Sequence, residues 1–390
     1  MAAVVEELAW RARETGRLGI DTEFMGEGRY RALLCLVQVV VADEQGDARV
    51  EVLDPLDESL DPRPLAEVLA DPGIEVIMHA GRQDVALLRR VWETDVRNVF
   101  DTQVAAGFSG LRAQLGYEAL LHELVGVRLR KSASFTRWDA RPLSGEQVEY
   151  AREDVLHLLQ LADALQGRLA ELGRLDWARE ECRALEDATD VRETKTVFNR
   201  LPRVNSLDPG QRAVAWELAE WRERTAREAD RPIQTILADA GLVEVAKRRP
   251  KELGRLRQMR GLNESAVHRR GQAILDAVAR GRERPGIPVE GERPAQPEPQ
   301  DAALIALAEA LVRTRALEAR LAYELIAARA DLQKIALSVR DDAPEPAVRT
   351  LEGWRRELVG EELLELLRGR LSLRVGAGRR VHVEGVEAVL

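Results

Sequence analysis

The feature that most constrains this chain is a change of pattern part-way along it. Short apolar runs alternate with helical segments through about residue 175, and beyond about residue 205 the strand signal stops. Ala2–Glu14 has helical spacing, Leu18–Asp21 reads as a short strand, and Leu33–Val41 and Val50–Leu53 as two more, the last closed by Asp54-Pro55. Ile74–Met78 gives a fourth strand, followed by His79-Ala80-Gly81 and a helix through Val91, and Asn98–Asp101 gives a fifth. Strands interleaved with helices specify an α/β sheet domain. A domain of this kind would usually carry another strand ahead of its first helix.

The remainder is helical. Pro209–Glu228, Ile233–Ala238, Leu242–Arg248, Pro250–Gln258 and Glu264–Arg280 are short helical segments separated by Gly, Pro or Asp, enough for one compact all-α domain. Pro285, Pro288, Pro294, Pro297 and Pro299, set among Glu and Gln, mark a linker that cannot bury apolar surface. Ala302–Arg340 and Leu351–Leu371 then give a second helical unit. The expected boundaries are 1–195 for the α/β domain, 205–283 and 301–378 for the two helical domains, and 284–300 for the linker.

Composition removes several classes of function. Cys35 and Cys182 are the only cysteines, far apart in the sequence, so neither a disulfide framework nor a thiolate metal site is expected. The longest apolar run, Leu33–Ala42, is interrupted by Gln38 and too short to span a bilayer. The N-terminus shows no basic and apolar leader, so the expected location is the cytoplasm. The formal charge of −9 argues against nucleic acid only if charge is evenly spread. It is not: residues 244–284 hold 12 Lys or Arg against 5 Asp or Glu, opening with Lys247, Arg248 and Arg249. Such a stretch can neutralise phosphates with salt-sensitive affinity, although a solvated helix face is the plainer explanation of the stretch taken alone.

The chemistry lies in a set of acids. Asp21 and Glu23 are two apart on a strand, so both face the same side. Tyr150 and Asp154 are four apart within Gly145–Gln166, which is strongly helical, so they stack on one helix face. Asp84 follows the fourth strand near a helix start. Together these can converge on one pocket. Hard divalent ions such as Mg²⁺ or Mn²⁺ take oxygen ligands, and several carboxylates can hold two of them to activate water and stabilise a leaving oxygen. A phenol four residues before a ligand can orient the water. Each short pattern alone is more often a solvated strand end or a helix face; their joint occurrence in context reverses that reading.

These segments resemble the DEDDy exonucleases and, within them, the ribonuclease D family. The resemblance is carried by Gly19-Ile20-Asp21-Thr22-Glu23-Phe24 with Tyr30 and Leu34-Cys35-Leu36-Val37-Gln38 after it, and by His79-Ala80-Gly81-Arg82-Gln83-Asp84. Phe100-Asp101-Thr102-Gln103, Lys131–Trp138, Arg141-Pro142-Leu143-Ser144 and Tyr150-Ala151-Arg152-Glu153-Asp154 complete it. It implies a ribonuclease H-like α/β exonuclease domain with a mixed sheet, and Asp21, Glu23, Asp84 and Asp154 as ligands to two divalent metal ions. Tyr150 would position the nucleophilic water. Phe24 and Met25 would border the terminal bases, with His79, Gln83 and Lys131 near the substrate, while Asp101 would support the fold.

Residues 205–283, with Trp221-Arg222-Glu223 and Asp230-Arg231-Pro232, resemble the helicase and RNase D C-terminal (HRDC) domain, and residues 302–375 its divergent second copy. The implied activity is 3′→5′ hydrolysis of RNA to nucleoside 5′-monophosphates, with tRNA precursors as substrates and a monomeric protein. A DNA exonuclease on the same fold is the nearest enzyme alternative. A non-catalytic RNA-binding protein is the alternative from another class, and the intact five-residue set argues against it.

Overall fold

In the computed structural model the described residues are 2–111, 115–129, 137–259, 261–262, 264–289 and 298–386. Chain order begins with α1 (Ala2–Thr15), β1 (Arg17–Met25), β2 (Leu33–Ala42), β3 (Ala48–Leu53), α2 (Arg63–Ala70), β4 (Glu75–Met78), α3 (Arg82–Val91) and β5 (Val99–Asp101). The strands form one sheet in the order β3-β2-β1-β4-β5. β1, β2 and β3 pair antiparallel, whereas β1, β4 and β5 run parallel, so the sheet is mixed, as the resemblance implies. β1 is therefore central, and its first carboxylate sits in the middle of the domain.

Helices cover both faces. On one, Leu18 and Ile20 of β1 share a core with α1, α2 and α3. On the other lie α4 (Thr102–Ala106), α5 (Tyr117–Leu120), α6 (Gly145–Leu156), α7 (Leu158–Glu171) and α8 (Leu175–Glu186). The helical segment expected as one stretch over Gly145–Gln166 is two helices, broken at His157, and Tyr150 and Asp154 both stay on the first. Gly19 marks how tightly the second layer is pressed down: a Cβ there would lie 2.5 Å from Val40 Cγ1 and 3.1 Å from Leu158 Cδ2.

The first helical domain comprises α9 (Thr194–Asn199), α10 (Pro209–Glu228), α11 (Ile233–Ile236), α12 (Asp239–Arg248), α13 (Leu253–Arg257) and α14 (Glu264–Glu283). Asp208 opens α10 with a reciprocal cap to Gln211, satisfying amide groups that a helix start leaves unpaired. Tyr30, from the loop after β1, is buried in this domain's core; its hydroxyl donates to Glu223 at 2.8 Å and its N–H to Asp230 at 3.1 Å.

The C-terminal region contains α15 (Pro299–Ala319), α16 (Tyr323–Ile326), α17 (Arg329–Arg340), α18 (Gly353–Arg355) and α19 (Glu361–Leu367). It does not end all-α. β6 (Leu371–Val375) and β7 (Val381–Gly385) form an antiparallel hairpin that crosses the expected boundary at 378. The alternation in Leu371-Ser372-Leu373-Arg374-Val375, with Gly378 at φ +72°, is the physical reason. This region shares a core with the α/β domain: Trp354 stacks on Trp177 at 5.3 Å and meets Phe108 edge-on at 5.0 Å, while Arg355 donates to Glu181 at 2.7 Å. No helix among the described residues is long and apolar enough to cross a membrane.

Replacing Gly19 by Ala should lower stability by about 1–3 kcal/mol in urea unfolding, the usual cost of overfilling a packed core. An unchanged midpoint would mean that the two layers are not pressed together at this glycine.

Candidate active site

β1 supplies the first two acids. Because odd-numbered positions face α6 and α7, Asp21 and Glu23 project into the second layer, and a register shift between Glu23 and Phe24 ends regular pairing there. Such a bulge re-aims the side chains beside it. Phe24 and Met25 consequently pack into different cores: Phe24 joins the α1–α3 side, and Met25 joins Cys35, Leu36, Trp138 and Ala151. Both are half-buried at the end of the strand.

Asp84 comes from the opposite layer, in the first turn of α3. Thr22, which points away from Asp21 on the same strand, donates its hydroxyl to the Asp84 carboxylate in a short hydrogen bond. The start of α3 is in turn fixed by Asp101. Its buried carboxylate accepts from the N–H groups of Ala80 (3.1 Å) and Gly81 (2.7 Å), and from those of Gln103 (2.8 Å) and Val104 (3.1 Å). Asp101 is thus saturated by backbone donors and pins the turn from which Asp84 projects. Ala80 holds φ +57° in that turn, and a Cβ on Gly81 would meet Met78 at 2.7 Å.

α6 carries the other two residues. Ser144 and Gln147 cap its start reciprocally, and Arg141 staples the preceding segment to the sheet. Its guanidinium donates to Asp54 at 2.5 and 2.6 Å and to the Cys35 carbonyl at 3.0 Å. Trp138 is buried beside the Tyr150 ring, with centroids 5.9 Å apart. Tyr150 hydrogen-bonds to Asp154 one turn on, which lowers the Asp154 pKa and raises its own.

The four carboxylates lie within electrostatic range of one another. Burial drives Asp21 well above the ordinary carboxylate range, and Asp84, Asp154 and Glu23 push it further. Burial raises Glu23 to about 8, with Asp154 and Asp84 adding to it. Asp154 rises to about 7 by burial, opposed by the Tyr150 hydrogen bond. Asp84 rises to about 6 by burial, opposed by Thr22. None of the four pairs with a Lys or Arg among the described residues. Among those residues, too, no three acidic, His or Cys side chains already converge as an ion cage. The acids are gathered rather than closed. Their chemistry fits hard cations, since oxygen ligands with raised pKa values are what a divalent charge would ionise and draw in.

The peripheral residues divide. Gln83 is exposed beside Asp84 at the start of α3. His79 Nδ1 lies 2.9 Å from the Thr102 hydroxyl, and burial lowers its pKa despite Asp101, so it is neutral and structurally engaged. Lys131 lies outside the described residues. Lys247, Arg248 and Arg249 sit at the end of α12, away from the acids in sequence and domain. Arg248 pairs with Glu244, and Arg249 lies 3.7 Å from Asp208, while Lys247 is exposed. Sequence reasoning missed Tyr117, on α5. Its ring lies 5.5 Å from His79, and burial, with Asp154 and Asp21 nearby, holds its phenol protonated. A lone Tyr at the start of a four-residue helix gives no periodic signal.

A carboxyl whose pKa is raised in the fold binds its proton more tightly when folded. Its stabilising contribution is complete below the unfolded value of about 4 and is lost as pH rises through the folded value. In chelator the protein should therefore lose stability from about pH 4 through the values of about 6, 7 and 8 of Asp84, Asp154 and Glu23. Mg²⁺ should flatten that decline. Melting temperatures measured in EDTA and in Mg²⁺ check this; an equally steep fall in both would contradict it.

The sequence matches the 3′-5′ exonuclease family over residues 2–170 and the HRDC domain family over residues 211–278. It is 36% identical to the ribonuclease D of Gluconacetobacter diazotrophicus over 97% of this chain and 93% of that one. It is also 36% identical to the ribonuclease D of Acidiphilium cryptum, over 98% and 94% respectively. The crystal structure of Escherichia coli RNase D, described as an exoribonuclease involved in structured RNA processing, superposes with a TM-score of 0.81 at 28% identity, covering 94% of this chain and 97% of that one. With the sheet order, the acid cluster and this extent of identity in agreement, the chain belongs to the ribonuclease D family of exoribonucleases.

Proposed function

We propose that this enzyme shortens RNA from its 3′ end by metal-dependent hydrolysis, releasing nucleoside 5′-monophosphates, and that tRNA precursors are among its substrates. Asp21, Glu23, Asp84 and Asp154 are the proposed ligands to two divalent ions, Mg²⁺ or Mn²⁺. The observation that carries the reading is the cluster of four carboxylates whose pKa values burial raises, those of Asp21 and Glu23 further by the other acids of the cluster, with no Lys or Arg partner among the described residues. When bound, divalent ions supply the positive charge that activates water and stabilises the leaving 3′ oxygen.

The chain's own side chains supply position. Tyr150 is held protonated by burial and by the neighbouring acids, so its phenol cannot serve as a base at neutral pH. It can hydrogen-bond a water beside Asp154 and aim it. Thr22 fixes the Asp84 carboxylate against β1, the strand that carries Asp21 and Glu23. Phe24 and Met25, at the end of β1, are the proposed border of the terminal bases, and His79, Gln83 and Lys131 the proposed near-substrate residues.

In the proposed division of the chain, 1–195 is catalytic, 205–283 is the HRDC domain, 284–300 the linker and 301–378 a second, divergent HRDC-like unit, all within a cytoplasmic monomer. The basic stretch is the proposed RNA-holding face. Lys247, Lys251, Arg255 and Arg257 are exposed and make no ion pair among the described residues, leaving them available to phosphates.

Purified protein should shorten 3′-extended RNA in Mg²⁺ or Mn²⁺, and parallel DNA strands test its selectivity. Asp21→Asn should reduce cleavage to background, and Tyr150→Phe should lower kcat by about 10²–10⁴, the range for a lost proton-handling or water-positioning group. Wild-type protein that binds the RNA yet never shortens it would remove the catalytic reading. Reversing Lys247, Arg248 and Arg249 to Glu should weaken RNA binding and flatten its salt dependence, with little effect on very short substrates. Equal affinity of the two proteins at low salt would remove the basic-face reading.

A further inference from the structure

A buried amide in the active-site layer is without a partner among the described residues. Gln38 interrupts the apolar β2 strand and is 0% exposed, and among the described residues neither its amide oxygen nor its amide nitrogen has a hydrogen-bond partner. Its neighbours Val37, Val39, Val40 and Val41 are buried hydrophobics, so an apolar residue at 38 would suit the strand without an amide to desolvate. Its location is specific. β2 places Gln38 directly opposite Asp21, and opposed residues of an antiparallel pair share a face with Cβ atoms about 4.5–5.5 Å apart. That face lies under α6: Val40, two residues along, shares a core with Val155, and Leu36, two residues back, shares one with Ala151.

The other carboxylates show what Asp21 lacks. Asp84 accepts from the Thr22 hydroxyl, and Asp154 is hydrogen-bonded by Tyr150. Among the described residues, Asp21 has only the backbone N–H of Thr22 to counter its burial. We propose that Gln38 is a positioning residue for Asp21: its Nε2–H donates to one carboxylate oxygen and leaves the other free to take a divalent ion. The proposal rests on the metal-site reading above. A neutral amide suits this task, because it orients a ligand without competing for the ligand's charge as Lys or Arg would.

The test replaces Gln38 by Leu and, independently, by Met, which keeps an unbranched chain of similar length. Mn²⁺ binding is measured without RNA, by loss of the free-ion electron paramagnetic resonance signal, and melting in EDTA reports the fold. Both variants should melt at or above the parent temperature, since an unpartnered amide is gone, and bind Mn²⁺ about 10–100-fold more weakly. The Mn²⁺ concentration for half-maximal kcat should rise by the same factor, with KM for RNA at saturating metal unchanged. Folded variants that bind Mn²⁺ within twofold of the parent would overturn the proposal. So would failure of both to fold, because the amide would then be holding the strand rather than the ligand. If the parent itself bound no Mn²⁺, the metal-site reading would fail first, and that result is distinguishable from either of the others.

Discussion

The structure depends on keeping four carboxylates together where burial makes each harder to ionise and where Asp84 and Asp154 add to that effect on Asp21 and Glu23. Two come from one strand, one from a helix on the near side of the sheet and one from a helix on the far side, so no single element can hold them. The scaffold does so with uncharged hydrogen bonds. Thr22, on the face of β1 away from Asp21, holds Asp84, Asp101 locks the turn before α3 with four backbone N–H groups, and Tyr150 engages Asp154. Gly19 lets Leu158, at the start of α7, pack directly onto β1.

How much of this could be read from the sequence depended on periodicity. Asp21 and Glu23 were legible because a strand alternates, and Tyr150 with Asp154 because a helix repeats every three to four residues. The five strands were recognisable by their apolar runs, but the break at His157 was not, since neither Gly nor Pro marks it. The C-terminal hairpin had its signal in Leu371, Leu373 and Val375, which lost out to the Leu- and Glu-rich helix just before it. Residues that act through three-dimensional neighbours gave no local sign. Tyr117 comes beside His79 only because α5 folds back over the end of β4, and the role of Asp101 as a backbone clamp needs the turn it clamps.

The helical regions are attached to the catalytic domain in two different ways. Tyr30 enters the first helical core, its ring flanked by Arg31, Arg192 and Arg227 at 5.7, 5.7 and 5.9 Å and its hydroxyl on Glu223, while Arg29 beside it pairs with Asp230 at 2.9 Å. Residues of the C-terminal region, Trp354 among them, instead belong to the same apolar cluster as Phe108, Val155 and Leu158 of the catalytic domain. Val155 follows Asp154 directly, so the packing that seats the C-terminal region also bears on the helix that carries two of the five site residues. Loosening that shared core would disturb the acids without touching them, whereas loosening the Tyr30 anchor would act first on the basic domain.

The nature of the supporting groups bears on the proposed metal site. A guanidinium placed beside Asp21 or Glu23 would satisfy the charge and stabilise the fold, and an incoming ion would then have to displace it. The donors that do touch these carboxylates are a threonine hydroxyl, a tyrosine hydroxyl and backbone amides, which fix direction and leave most of the charge uncompensated among the described residues. Arg141 and Arg90 are committed to other carboxylates, Asp54 and Asp190 respectively. Neutral donors for geometry and distant pairing for cations together give a site whose acids are rigidly aimed yet electrostatically unsatisfied, which is the condition under which a divalent ion binds without competition from the protein itself.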